Sequence, residues 1–158
     1  MKKAKQLMLV GAVLSLSVMC LAFVQAKDDD DRLHFKVDVT TLNNSGVTGT
    51  ATVDIGEDGL RGKLKADGLT PGHGYTVWLF YQEGANVGGP GRFDSNVAED
   101  DDLTFRGHVG GLRVSSGATV KLLIFDHPNL GATNVTRAAN LLTPAGGSGV
   151  AQAVFTIP

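Results

Sequence analysis

The stretch Leu33-His34-Phe35-Lys36-Val37-Asp38-Val39-Thr40 decides the fold. Apolar and polar residues alternate without a break, so one side of an extended chain is apolar and the other is wet. That is a half-buried β-strand. The pattern resumes at Ala51, Val53 and Ile55, after the turn Asn43-Asn44-Ser45-Gly46. Gly56-Glu57-Asp58-Gly59 reads as a hairpin turn, because Asp-Gly tolerates the positive φ that tight turns demand. Leu60, Leu64 and Ala66 then alternate with Arg61, Lys63 and Lys65. Thr70-Pro71-Gly72 leads into 75–82, the most apolar strand, and further strands are predicted over 103–109, 118–125 and 150–157. No long helical period occurs, although 133–142 reads as a short helix. The expected architecture is all-β, a single antiparallel β-sandwich of about eight strands.

A repeat sharpens this expectation. Shifting the chain by 43 positions lays 58–79 over 101–122. Asp58, Leu60, Gly68, Leu69, Gly74, Thr76, Val77 and Leu79 then meet Asp101, Leu103, Gly111, Leu112, Gly117, Thr119, Val120 and Leu122. The repeat predicts two equivalent hairpins, one in each half, and not a solenoid, which needs more copies. It also predicts faces. Val77, Leu79, Val120 and Leu122 fall on the core side, and Thr76, Trp78 and Phe80 point the other way, opposite Thr119, Lys121 and Leu123. Trp78 and Phe80 thus form an aromatic patch on the outer face, either covered by a long loop or open to a ligand.

The N-terminus reads as an export signal. Lys2, Lys3 and Lys5 precede an apolar run over 7–24, and Val24-Gln25-Ala26 supplies the small residues that a signal peptidase inspects. The expected division is 1–26 as signal peptide, 27–32 as an acidic mature N-terminus and 33–158 as the β-sandwich domain. The 18 uncharged residues would also just span a bilayer as an uncleaved anchor, and Cys20 offers a lipid-acceptor alternative, though Met19 before it is not the small residue such sites want. Cleavage after Ala26 removes the only cysteine, so the mature chain forms no internal disulfide. It also removes three of 14 basic residues and none of the 16 acidic ones. The mature chain is therefore acidic, carries no basic cluster in its sequence, and is expected not to bind nucleic acid.

The segment Gly68-Leu69-Thr70-Pro71-Gly72-His73-Gly74-Tyr75-Thr76-Val77-Trp78 resembles the signature strand of copper/zinc superoxide dismutases, and Gly146-Gly147-Ser148-Gly149-Val150-Ala151 is similar to that family's glycine-rich last strand. The resemblance implies a superoxide dismutase-like sandwich; an immunoglobulin-like one is the alternative. The metal histidines of that family would fall on Thr76 and Trp78, and the strand that supplies another reads Val120-Lys121-Leu122-Leu123-Ile124. The stretch 82–92, read as a loop, holds no histidine. Copper and zinc need three or four converging donors, so no metal, cofactor or dismutase activity is expected. A fuller likeness, over most of the mature chain, is to uncharacterised exported bacterial proteins carrying a GLTPGHxYTVW segment, and it implies a sandwich without naming a function.

The remaining chemistry is sparse. His73 sits in a turn, where an exposed, hydrogen-bonding residue is the ordinary expectation, and His34 and His108 occupy polar phases of strands, where solvent exposure is. Asp126-His127-Pro128 opens the longest loop, and this corner is the candidate binding site. The acidic runs 28–31 and 99–102 suggest calcium, but consecutive acids on a turn diverge instead of converging, so solvated turns are expected. No nucleophile elbow and no phosphate-cradling glycine loop is present in the sequence. No catalytic residue is assigned. The expected function is an exported, periplasmic or extracellular, non-catalytic module that binds a protein, a polymer or a small apolar ligand, using Trp78, Phe80, Asp126 and His127. It is free of the membrane once the signal is cut. The alternative is a metal-binding or enzymatic sandwich with its site near Asp126 and His127.

Overall fold

The computed structural model describes residues 23–25, 32–128 and 147–158, with the side chains of 23–25, 89 and 90 excepted. Most of the expected export signal, the predicted helix at 133–142, the loop 129–146 and the acidic run 28–31 therefore lie outside the described residues. Among the described residues there are nine strands and no helix. They are β1 (Phe23–Gln25), β2 (Leu33–Thr41), β3 (Thr48–Gly56), β4 (Gly59–Asp67), β5 (Gly74–Glu83), β6 (Asn86–Val97), β7 (Asp102–Gly110), β8 (Thr119–His127) and β9 (Ser148–Thr156).

All pairings are antiparallel and lie on one hydrogen-bonded path, β6-β5-β8-β9-β2-β3-β4-β7, with β1 added to β2. The sheet curls because its inward faces are apolar over most of the path. Phe35, Val37, Val53, Leu60, Leu64, Val77, Leu79, Phe105, Val120, Leu122 and Ile124 are all buried in one cluster. The rings of Phe35 and Phe155 lie 4.6 Å apart where β2 and β9 diverge. At the far ends of the path β6 comes against β7. Asp94 of β6 there accepts the backbone N–H of Arg106 at 2.7 Å, and Phe93 occupies space that a side chain at Gly107 would need.

The core assignment of Val77, Leu79, Val120 and Leu122 agrees with the structure, and Leu79 stands directly across from Leu122. The hairpin reading of the repeat does not. Within each copy the two strands are not neighbours: β4 pairs with β3 and β7, and β5 with β6 and β8. Equivalent strands pair with each other instead, β4 with β7 along its whole length and β5 with β8. The turns between strands are reciprocal as well. Leu69 N–H donates to Asp101 O at 2.9 Å, and Gly111 N–H donates to Asp58 O at 3.3 Å, so the turn of each copy grips the acidic turn of the other. Gly68 and Gly111 hold φ of 82° and 71°, a conformation that glycine adopts without strain, and the leucine after each is buried.

The stretch read as a loop over 82–92 is another difference. Only Gly84 and Ala85 turn the chain, and β6 then runs back along β5 for twelve residues. Its Gly88-Gly89-Pro90-Gly91 run masks the strand pattern. The structure gives a reason for the first of these glycines: a Cβ at Gly88 would collide with the ring of Tyr81, its partner in the ladder. Pro90 is tolerated because it falls in the register irregularity between Leu79 and Tyr81, where no β5 residue pairs with it, and β6 has no second ladder partner to need its missing N–H.

Candidate functional site

The four residues singled out from the sequence lie on β5 and β8, which run side by side. Gly74 faces His127, Tyr75 faces Asp126, and Trp78 faces Leu123. Because consecutive side chains on a strand alternate, Asp126 and His127 point to opposite faces of the sheet. Each finds its own partner. On the core side, at the end of the curl, Asp126 carries its two oxygens 3.0 and 3.1 Å from Nδ1 of His73. Beside them the Tyr75 hydroxyl accepts the Thr70 N–H at 2.9 Å, and burial pushes its pKa up, so it stays a neutral phenol. These bonds tie the 70–73 turn to the start of β5 and the end of β8.

On the outer face Thr76 is the hub. Its hydroxyl oxygen accepts the indole N–H of Trp78 at 3.1 Å and lies 2.9 Å from Nε2 of His127. Thr76, Trp78 and His127 are each only 1% exposed. With the indole N–H on one lone pair of Oγ1, the hydroxyl still has a hydrogen to give to Nε2 or a second lone pair to accept from it, so either imidazole tautomer fits this bond. Nδ1 is buried and has no hydrogen-bond partner among the described residues. Gly147 packs against the ring so closely that any side chain there would strike it. Burial lowers the His127 pKa, with the nearby Asp126 acting weakly the other way, so the imidazole is held neutral.

The aromatic patch is therefore redrawn. Trp78 does lie on the face away from Val77 and Leu79, but it is covered, and Phe80 is only half-buried beside its ladder partner Lys121. The loop expected to cover Trp78 falls mostly at 129–146, outside the described residues. His73 hydrogen-bonds as expected of a turn histidine but is half-buried, and His34, expected in solvent, is half-buried and lies 2.6 Å from Asp54. His108 is exposed, as expected. In the acidic turn Glu99, Asp100, Asp101 and Asp102 are all exposed, with Asp102 3.8 Å from Lys65. Among the described residues no three His, Cys, Asp or Glu side chains stand close enough to hold a metal ion.

One group of residues was missed from the sequence. The ladders align the outward side chains of β2, β3, β4 and β7 into rows. One row is Lys36, Thr52, Lys63 and Arg106, and the next is His34, Asp54, Arg61 and His108. A chain without a basic cluster in its sequence thus carries one on its surface, because strand pairing brings Lys36, Lys63 and Arg106 together. The alternation of Arg61, Lys63 and Lys65 was the visible part of it. Comparison of the chain with protein-family models, with curated proteins and with solved structures gives no match.

Proposed function

We propose that this chain is an exported, non-catalytic binding module, and that its curled sheet acts as a two-layered β-sandwich of the superoxide dismutase-like kind, without that family's metal site. One observation carries the functional reading. At the corner where titratable groups gather, Asp126 and His127 face opposite sides of the sheet, and each is committed to a structural bond. The groups able to do chemistry there fasten the fold: His73 and Asp126 pin a turn, and Thr76 joins Trp78 to His127. The layered reading draws support from the strand order, in which the chain crosses from β4 to β5 and again from β7 to β8 instead of forming hairpins there. Export draws support from the n-region lysines and the Ala26 site.

The test has two arms. N-terminal sequencing of protein recovered outside the cytoplasm is expected to begin at Lys27; a chain starting at Met1, or at a lipidated Cys20, contradicts export in this form. A second reading, a metal-binding or enzymatic site near Asp126 and His127, draws on His127 Nδ1, which has no hydrogen-bond partner among the described residues. Metal analysis of protein purified without chelator separates the two. The module reading expects no stoichiometric metal, whereas one equivalent lost on His127→Gln would establish the second.

A further inference from the structure

The rows on the outer face of β2, β3, β4 and β7 are arranged against ordinary sheet energetics. Lys63 and Arg106 stand directly opposite each other in the β4–β7 ladder. Like charges in that position repel and destabilise the pair. Asp54 offsets part of the neighbouring row, lying 2.6 Å from His34 and 3.9 Å from Arg61. Among the described residues no carboxylate lies within ion-pair distance of Lys36, Lys63 or Arg106. All three are exposed. The chain as a whole has more acids than bases, so this concentration is not a by-product of composition.

The spacing says what would relieve the repulsion. Neighbouring strands are about 4.8 Å apart, and alternate residues along a strand about 6.7 Å. Lys36 to Arg106 then spans three strand steps, roughly 14 Å, with Arg61 and His108 one row away. The β3–β4–β7 part of this face is a shallow depression of about 640 Å³, open to solvent, over Thr52, Asp54, Arg61, Lys63, Arg106 and His108, and Lys36 lies outside it on β2. A single small anion can meet Lys63 and Arg106 but not Lys36 as well; a linear polyanion laid across the strands can meet the whole row. β2, β3, β4 and β7 carry no Trp, Tyr or Phe among their outward residues, and Phe23 of β1, the ladder partner of Lys36, belongs to the segment that cleavage after Ala26 removes. The face therefore lacks the stacking platforms of a single-strand nucleic-acid site, the apolar residues that enter a lipid interface and the aromatic anchors of a protein interface. Thr52 stands between Lys36 and Lys63, and Thr50 and Thr104 share the next row with Asp38 and Lys65; these hydroxyls suit sugar hydroxyls.

We infer that this face binds an acidic linear polysaccharide, its carboxylates lying over the Lys36–Lys63–Arg106 row and beside Arg61. The inference rests on the module reading above and gives it a ligand class. The probe is polygalacturonate oligomers, titrated calorimetrically into the protein as recovered from cells, over a range of salt concentrations. Binding should weaken steadily with salt, as contacts to a polyanion do. Lys63→Ala combined with Arg106→Ala should lose at least tenfold in affinity, without a fall in Tm. Lys63→Gln alone, which leaves the Asp94 bond to the Arg106 backbone untouched, should lose about threefold, the effect of one removed charge contact. Lys121→Ala, on the outer face of β8, should stay within twofold. Unchanged binding by the double variant would overturn the site, as would an equal loss in Lys121→Ala. So would tighter binding of single-stranded DNA of matched charge, or of anionic phospholipid vesicles, than of the oligomers. An uncleaved, cytoplasmic chain that still binds through Lys63 and Arg106 would remove the export reading and leave the site standing.

Discussion

The β4–β7 and β5–β8 pairs are built from the same repeated segment, yet their outer faces have opposite fates. On β4 and β7 the outward residues include Arg61, Lys63, Arg106 and His108, and all four are exposed. On β5 and β8 the outward residues include Thr76, Trp78 and His127, and all three are buried. The inward faces are alike, with Leu60, Leu64 and Phe105 on one pair matching Val77, Leu79, Leu122 and Ile124 on the other. Strand pattern thus sets which residues make the core. What lies over the other face decides whether that face becomes structure or surface.

The comparison breaks most visibly at Trp78. Trp78→Ala should destabilise by about 3–5 kcal/mol, as large buried aromatics do, and match or exceed Leu79→Ala. Denaturant melts of both variants measure this, and a loss below about 1 kcal/mol at Trp78 would return it to the surface class. Thr76→Val comes next. It keeps the shape but leaves the Trp78 N–H and His127 Nε2 without partners, at about 2 kcal/mol in the same melts. A neutral result would mean that the hydroxyl bridge does not hold the two rings.

A smaller effect depends on pH. The His127 pKa is lowered by burial below its ordinary 6.5, so the unfolded chain binds a proton more readily than the folded one. His127 therefore contributes stability that is full above pH 6.5 and is lost as pH falls below it, toward the folded value. Melts of parent and His127→Gln between pH 7.5 and about 5 should converge toward the acid end. Parallel curves would contradict a buried neutral imidazole. The smallest effect belongs to the exposed pair. Lys63→Ala should change stability by no more than about 0.5 kcal/mol, and in the favourable direction, because it removes a like-charge contact.

Much of this contrast could be read from the sequence, and the part that could not has a physical cause. The alternation at 33–40 and the repeat gave the strands and the inward set Val77, Leu79, Val120 and Leu122, since those depend only on period and on shared frame. Pairing was not legible. A GL turn between two strands reads as a hairpin, whereas the reciprocal bonds of Leu69 to Asp101 and Gly111 to Asp58 join different copies. Strand β6 was hidden by glycines whose purpose, room for the Tyr81 ring at Gly88, exists only once β5 lies beside it. The cationic rows needed the register of four strands, because Lys36 and Arg106 are 70 residues apart. At the candidate site Asp126 and His127 were found together, but their divergence to opposite faces gives the pair two structural roles in place of one chemical one.

The contrast between the two faces is tested most directly by acrylamide quenching of the tryptophan fluorescence, since Trp78 is the only tryptophan in the chain. A covered Trp78 predicts blue-shifted emission and weak quenching, both unchanged when polygalacturonate occupies the β4–β7 face. Strong quenching close to that of free indole would show both outer faces to be open, and the division of the molecule into a covered side and a binding side would fall.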